Sequence, residues 1–154
     1  MEQAAWNVPA GTRPLAQFFT PAPVARFMAS WVASHPKMGR ALDPAVGRGA
    51  LVRALLERQP QWRISARDLD PHMLDAAATA LSDGGDRITW SQADYLYSDW
   101  DERFDVILCN PPYLHFRHFP QRHQALELCR QHLGFRLGGL SNIYTLFMLK
   151  SIYQ

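Results

Sequence analysis

The sequence has few of the features that mark secreted, metal-binding or membrane proteins. Only two of its 154 residues are cysteine, so it offers neither a disulfide framework nor a cysteine-based zinc site, and we expect no metal. No stretch approaches the roughly 20 apolar residues that a membrane-spanning helix needs. Residues 1–14 also lack the continuous apolar run of a secretion signal. We therefore expect a cytoplasmic protein that has no membrane partner.

Neither sign of charge dominates the sequence. Lysine and arginine number 16 and aspartate and glutamate 14, which gives a formal net charge of +2. This small excess is compatible with a polyanionic partner but does not require one. With 47% hydrophobic and 19% charged residues, the chain has the composition of a globular domain that buries one core.

Strand-like and helix-like patterns alternate along the chain. Strands are predicted at Ala41-Leu42 and in the segments WRISARDLD, RITWSQADY and FDVILCNPPY. Helices are predicted in FFTPAPVARFMASWVAS, ALVRALLERQ, PHMLDAAATAL, QRHQALELCRQHL and SNIYTLFMLKSIYQ. Near-continuous apolar strands that alternate with helices predict an α/β fold with a mostly parallel sheet and helices on both faces.

The first helix carries its own local signals. Thr20 is a candidate for its N-terminal cap. Its apolar residues recur at the three- and four-residue spacing of an amphipathic helix, which predicts that they form the buried face. These residues are Val24, Phe27, Met28, Trp31 and Val32.

Polar residues follow three successive strands. The run Asp43-Pro44-Ala45-Val46-Gly47-Arg48-Gly49-Ala50 joins the first strand to a helix, where glycines allow a ligand to approach the backbone. Asp68 ends the second strand and Asp94 the third. Three carboxylates would repel the phosphates of a dinucleotide but suit a nucleoside with a positively charged substituent. The pattern therefore favours S-adenosylmethionine as the cofactor.

The fourth strand ends in an unusually stiff turn. Prolines at 111 and 112 fix their own φ angles and push the residue before each toward extended geometry. The side chain of Asn110 and the carbonyl of Pro111 are therefore held in fixed directions at the carboxyl end of a strand, where open α/β sheets bind ligands.

Six motifs in order make a specific resemblance. They are FFTPAPVARFM, LDPAVGRGAL, RDLDPHML, QADYL, NPPY and SNIYTLF. The chain from Phe18 to about Tyr153 resembles the N-terminal part of a gamma-type adenine-N6 DNA methyltransferase of restriction-modification systems. That resemblance implies a Rossmann-like class I methyltransferase fold, S-adenosylmethionine as cofactor and DNA as partner.

The resemblance also implies roles for individual residues. The cofactor-binding set is Thr20, Pro21, Asp43, Pro44, Ala45, Gly47, Gly49, Asp68, Asp94 and Tyr95, and the catalytic set is Asn110, Pro111, Pro112 and Tyr113. Thr20 and Pro21 would cover the methionine end of the cofactor and Asp68 would bind its ribose. Asp94 would accept from its adenine, with Tyr95 packed beside the ring.

The last motif implies a pocket for the substrate base, to which Tyr144 and Phe147 would contribute.

The sequence departs from the family's usual pattern in the cofactor loop and strand end. Asp68 stands where glutamate is commoner, and Val46 and Arg48 replace a small cysteine and a serine or threonine.

Other interpretations remain open. Glutamine methylases of release factors and guanine-N2 methylases of RNA also carry Asn-Pro-Pro-aromatic runs. A noncatalytic fragment is a third interpretation, because the resemblance implies that residues 1–154 are the N-terminal part of a catalytic domain. We then expect a sheet truncated after the fourth strand and its following helix, with no target-recognition domain. Such a chain would be poorly soluble alone, or would pair with a second polypeptide or its missing C-terminal segment.

Overall fold

Strands and helices alternate along the chain as the sequence patterns predict. The computed structural model describes residues 19–34, 39–59, 61–113, 119, 121–138 and 142–154. The helices in these ranges are α1 (Ala22–Val32), α2 (Ala50–Arg58), α3 (Pro71–Ala80), α4 (Arg122–Leu133) and α5 (Ile143–Tyr153). The strands are β1 (Arg40–Asp43), β2 (Arg63–Asp68), β3 (Ile88–Gln92) and β4 (Val106–Ile107), and short 3₁₀ helices cover Ser82–Arg87 and Tyr95–Tyr97. No helix in the described ranges is both long and apolar enough to cross a membrane.

The four strands form one parallel sheet in the order β3-β2-β1-β4. Ala41 of β1 is paired with Ile64 of β2 on one side and with Val106 of β4 on the other. The chain first adds strands on one side of β1 and then crosses to its other side. All four strands therefore end at the same edge, and the order reverses between β1 and β4, where α/β sheets of this type bind ligands.

Helices cover both faces of this sheet. On one face, Ala41 of β1 packs in a core with residues of α1, α2 and α3. The next residue, Leu42, points to the other face and packs with α4, α5 and the 3₁₀ helix Tyr95–Tyr97. The predicted α/β architecture with a parallel sheet between two helical layers is confirmed.

The prediction for the buried face of α1 is wrong in part. Val24, Phe27 and Trp31 are 47%, 75% and 61% exposed, Met28 is half-buried and Val32 is buried. The side chains of Ala25 and Ala29 are buried instead. Because α1 packs directly on α2, small side chains let the two helices approach closely, and the larger apolar residues remain at the surface.

Thr20 does not cap α1, which corrects the prediction made from its position. The helix begins at Ala22 after Pro21, and no side chain caps it. The hydroxyl of Thr20 instead accepts a hydrogen bond from the side chain of Asn110, at a distance of 3.1 Å. A residue expected to start a helix therefore contacts the end of β4.

Candidate active site

The polar residues singled out in the sequence meet at the carboxyl edge of the sheet. Asp43 and Asp68 are the last residues of β1 and β2, and Asp94 lies two residues beyond β3. Asn110 follows β4, whose neighbour in the sheet is β1. The parallel sheet thus places three carboxylates and one amide along the same edge, with Asn110 on the far side of the crossover point.

The loop between β1 and α2 has a backbone that requires glycine at two positions. Gly47 and Gly49 have φ angles of 52° and 81°, in the left-handed region. A Cβ added to Gly49 would also lie 2.6 Å from Cδ1 of buried Leu81. This loop can therefore pass close beneath a ligand and end at the N-terminus of α2, where Gly49 is the capping residue.

Asp68 ties the glycine loop to the end of β2. One carboxylate oxygen accepts from the backbone N–H of Gly47 at 2.8 Å, and the other accepts from the N–H of Asp70 at 3.0 Å. Burial raises the pKa of Asp68, while these two backbone bonds act in the opposite direction. The carboxylate therefore fixes the loop and its own strand end relative to each other.

Asp43 is the most deeply buried of the three carboxylates, with 2% of its surface exposed. Burial raises its pKa to about 8. The N–H of Ala45, 3.3 Å from Oδ1, opposes that rise, while the nearby charge of Asp68 adds to it. Pro44 is buried in the same turn. A neighbouring positive charge would therefore stabilise the ionised form of this buried acid.

Asp94 and Tyr95 follow β3 and differ in burial. The carboxylate of Asp94 accepts from the N–H of Leu96 at 3.1 Å, and burial raises its pKa. The ring of Tyr95 is 1% exposed and lies within the core. Its hydroxyl donates to the side chain of Gln154 at 2.8 Å. The predicted contact between this ring and a cofactor stays a prediction, and the ring's described contacts are with the core.

Asn110 lies in the wall of a cavity of about 770 Å³ beside α1. The residues lining it are Phe19, Thr20, Pro21, Val24, Met28, Cys109, Asn110, Pro111 and Tyr113. Most are apolar, and Asn110 and Thr20 supply its polar groups. The predicted residues Thr20, Pro21, Asn110, Pro111 and Tyr113 are therefore brought together around one cavity.

A second, smaller cavity of about 40 Å³ lies between the glycine loop and the residues Phe19, Thr20 and Asn110. It is lined by Phe19, Thr20, Asp43, Ala45, Val46, Gly47, Arg48, Ala50, Leu51 and Asn110. Phe19, Thr20 and Asn110 line both cavities. The segment before α1 thus connects the cofactor loop with the Asn-Pro-Pro-Tyr turn.

Tyr113, Pro112 and the residues of the last motif occupy more varied positions. Tyr113 is 57% exposed at the mouth of the larger cavity, and Pro112 is half-buried. Phe147 is 6% exposed and packs on Tyr95, with ring centroids 5.0 Å apart. Tyr144 is 43% exposed near the start of α5. Neither Tyr144 nor Phe147 is among the described residues that line the two cavities, so their role in a base pocket stays a prediction.

Sequence reasoning missed Phe19 as a site residue. It lines both cavities, and its ring lies 4.4 Å from the guanidinium carbon of Arg48. Its position directly before Thr20 and Pro21 was the signal that could have found it. The structure adds Val24 and Met28, whose helical spacing had indicated only core packing.

A comparison with protein families decides the class of the chain. Residues 41–134 match the family model described as a methyltransferase domain. This range contains the glycine loop, all three strand-end carboxylates and the Asn-Pro-Pro-Tyr turn. The chain belongs to the methyltransferase domain family.

Relatives of this methyltransferase domain include a type II methyltransferase and a glutamine methyltransferase. Type II methyltransferase M.AccI of Acinetobacter calcoaceticus is 37% identical over 90% of the chain, which spans 25% of that protein. The release factor glutamine methyltransferase of Streptococcus pneumoniae is 32% identical over 47% of the chain, or 26% of that protein. The chain therefore spans about a quarter of the length of both.

The methyltransferase domain also matches solved structures. The type I restriction-modification system methyltransferase subunit from Streptococcus thermophilus superposes with a TM-score of 0.72 at 22% identity. The match covers 88% of this chain and 31% of that one. Together with the parallel sheet and its strand order, this likeness shows the class I S-adenosylmethionine-dependent methyltransferase fold.

S-adenosylmethionine is the cofactor of this fold class, and the site residues fit it. The buried carboxylate of Asp43 and the carboxylates of Asp68 and Asp94 suit a cofactor with a positive sulfur and an ammonium group. The left-handed glycines at positions 47 and 49 allow the loop backbone to approach a ligand closely. Among the described residues, no group of three or more histidine, cysteine, aspartate or glutamate side chains could hold a metal ion.

Proposed function

We propose that the chain transfers a methyl group from S-adenosylmethionine to the N6 amino group of an adenine flipped out of DNA. The observation that carries this proposal is the placement of Asn110 in the wall of a mostly apolar cavity at the crossover point of the sheet. Target recognition by a further segment or a second polypeptide belongs to the same proposal, as does a cytoplasmic location.

The cofactor half of the site consists of the glycine loop and the strand-end carboxylates. Asp43, Ala45 and Gly47 would line the amino acid part, and Asp68 would accept from the ribose hydroxyls. Asp94 would accept from the adenine amino group. S-adenosylmethionine bound there supplies a methyl group on a positively charged sulfur. Asp43 and Asp68 lie within each other's electrostatic reach, so the site would favour that positive charge.

Asn110 and Pro111 would activate the amino group of the substrate. The lone pair of an adenine amino nitrogen is delocalised into the ring, which makes it a poor nucleophile. The side-chain oxygen of Asn110 and the carbonyl of Pro111 would each accept one N–H of that group and draw the nitrogen toward tetrahedral geometry. Both acceptors bind more strongly as positive charge develops on nitrogen, so the step needs no strong general base.

The hydrogen bond to Thr20 gives the Asn110 amide a direction. Its nitrogen donates to the Thr20 hydroxyl at 3.1 Å, so its oxygen is turned away from Thr20. The fixed φ of each following proline restricts the backbone on the other side. Thr20 thus helps to preorganise the acceptor rather than take part in the reaction.

Tyr113 would hold the flipped base. Tyr113 is 57% exposed and lines the larger cavity, next to Asn110 and Pro111 in its wall. Stacking of a base on such a ring contributes about 1–3 kcal/mol, which offsets part of the cost of unstacking it from the duplex. The apolar wall formed by Phe19, Val24 and Met28 would exclude water from the base.

The extent of similarity favours DNA over protein as the substrate. Similarity to the type II methyltransferase extends over 90% of the chain, whereas similarity to the glutamine methyltransferase extends over 47%. A match of 139 residues must extend beyond residues 41–134, the range that matches the methyltransferase domain family. Methyl transfer to a protein glutamine is the second candidate function, because a glutamine amide offers the same planar NH₂ to the same two acceptors.

A methyl-acceptor panel distinguishes these functions. The protein is incubated with methyl-labelled S-adenosylmethionine and either unmethylated genomic DNA or a glutamine-containing release factor, and the product is analysed by mass spectrometry. The proposal predicts N6-methyldeoxyadenosine in the DNA and no label in the protein, and Asn110→Ala should abolish the product while retaining cofactor binding. Methylated glutamine would support the second candidate. Cofactor binding without transfer to either acceptor would support the noncatalytic interpretation.

A further inference from the structure

Arg48 places a positive charge at the smaller cavity, and the proposed function assigns no role to this side chain. Among the described residues that line the two cavities, it is the only lysine, arginine or histidine. The smaller cavity also contains the carboxyl group of Asp43. One cavity therefore has a cationic side chain at its exposed rim and a buried acid in its floor.

Phe19 holds the Arg48 side chain over the glycine loop. The guanidinium carbon lies 4.4 Å from the centre of the Phe19 ring, within the range of a cation–π interaction. Phe19 also lies close to Gly47, since a Cβ added there would be 3.8 Å from the Phe19 ring. Arg48, Phe19 and the loop thus form one packed group at the edge of the cofactor site.

The contact between Arg48 and Phe19 does not consume the hydrogen-bond donors of the guanidinium. A guanidinium that stacks through its face still presents its N–H groups in the plane, as a rigid fork that matches a carboxylate. Within the described part of the chain, no hydrogen bond or ion pair of this guanidinium is found. Arg48 therefore contacts Phe19 while lining a cavity whose other described lining residues include no cation.

We propose that Arg48 binds the α-carboxylate of the amino acid part of S-adenosylmethionine. The inference rests on the proposed function, since it assumes that this edge of the sheet binds that cofactor. The amino acid part carries an ammonium group as well as the carboxylate, and the same cavity is lined by the acid Asp43 and the cation Arg48. The ammonium group would favour the ionised form of Asp43, and the carboxylate would pair with Arg48. Arg48 would then be a residue that selects a cofactor whose amino acid part is intact.

Calorimetric titration with two ligands tests this assignment. The ligands are S-adenosylmethionine and its decarboxylated form, which lacks only the carboxylate. The variants are Arg48→Ala and Arg58→Ala, because Arg58 is an exposed arginine in the last turn of α2 and lines neither cavity among the described residues. We expect Arg48→Ala to weaken S-adenosylmethionine about 10-fold, as for one charge-assisted pair at a partly exposed site. Arg58→Ala should leave its affinity unchanged.

The decarboxylated ligand separates charge recognition from a structural role of Arg48. It should bind the wild type and Arg48→Ala with equal affinity, because the group that Arg48 recognises is absent. Arg48→Lys should restore part of the lost affinity, since it keeps the charge but not the planar fork. Equal loss for both ligands, or no loss for either, would overturn the assignment of Arg48 while leaving the cofactor site intact. Failure of the wild type to bind S-adenosylmethionine would overturn the proposed function, and this inference with it.

Discussion

The side-chain amide of Asn110 donates a hydrogen bond to the hydroxyl of Thr20, a residue 90 positions earlier in the chain. This bond joins the segment before α1 to the turn after β4. Both residues also line the cavity that contacts the glycine loop. The contact therefore couples the part of the site that would cover the cofactor to the part that would hold the methyl acceptor.

Removal of the Thr20 hydroxyl should slow methyl transfer more than it weakens cofactor binding. In Thr20→Val the shape is kept but Asn110 loses the partner that orients it, and we expect kcat to fall about 10- to 100-fold, as for other misplaced catalytic groups. Thr20→Ser keeps the hydroxyl and should retain most of the activity. Single-turnover rates and calorimetry on both variants check this. Equal kcat in Thr20→Val and the wild type would show that Asn110 does not depend on this bond.

Alanine should be far more costly at position 49 than at position 134. Both glycines have left-handed φ angles, of 81° and 77°, but an added Cβ meets Leu81 only at Gly49 and finds nothing within 4 Å at Gly134. Gly134→Ala should lower the free energy of unfolding by about 1–2 kcal/mol from backbone strain. Gly49→Ala should have the same strain cost and, in addition, a loss of about 1–3 kcal/mol from overpacking against Leu81. Urea unfolding measures both, and equal losses would contradict the close contact with Leu81.

Asp43 should make the stability of the protein fall as pH rises from about 4 to about 8. Burial raises its pKa from 3.8 to about 8 in the folded state. Between these values the folded state holds a proton that the unfolded state has released, so the free energy of unfolding decreases with pH. Asp43→Asn removes this ionisation. The unfolding free energy of the wild type should therefore fall relative to that of Asp43→Asn as pH rises from about 4 to about 8, and parallel pH curves would contradict the raised pKa.

Lys150 should make the free energy of unfolding rise with pH above about pH 8. It is fully buried, and its ammonium group donates to the carbonyls of Tyr95 and Ser98 at 2.6 and 2.9 Å. Burial lowers its pKa from 10.5 to about 8. Between pH 8 and 10.5 the unfolded state holds a proton that the folded state has lost, so its contribution to stability rises with pH. Lys150→Met should remove this rise, which urea titrations at pH 8, 9 and 10 would measure.

The parts of the fold that local patterns specify were predictable from the sequence. Apolar runs identified the four strands, and helical spacing identified the five helices. Pro71 is the first residue of α3, a position where its missing N–H leaves no helical hydrogen bond unmade. Because parallel strands end at one edge of a sheet, the positions of Asp43, Asp68 and Asn110 at strand ends also indicate that they lie along the same edge.

Features that depend on tertiary contacts could not be predicted in the same way. The aromatic residues of α1 indicated its buried face, but close packing against α2 selects Ala25 and Ala29 instead. Tyr95 follows Asp94 directly, yet the turn after β3 directs its ring into the core. The contact between Phe19 and Arg48 joins two segments that no local pattern connects.

The most direct test of the cofactor site is a titration of S-adenosylmethionine into the wild type and Asp68→Ala, with Asp70→Ala as a control. Asp70 lies two residues away, and its carboxylate accepts from the N–H of His72 at the start of α3. The account predicts that the wild type and Asp70→Ala bind the cofactor with similar affinity, whereas Asp68→Ala binds it at least about 10-fold more weakly because its ribose contact is lost. Equal binding by all three proteins, or no binding by the wild type, would contradict the assignment of this sheet edge as the S-adenosylmethionine site.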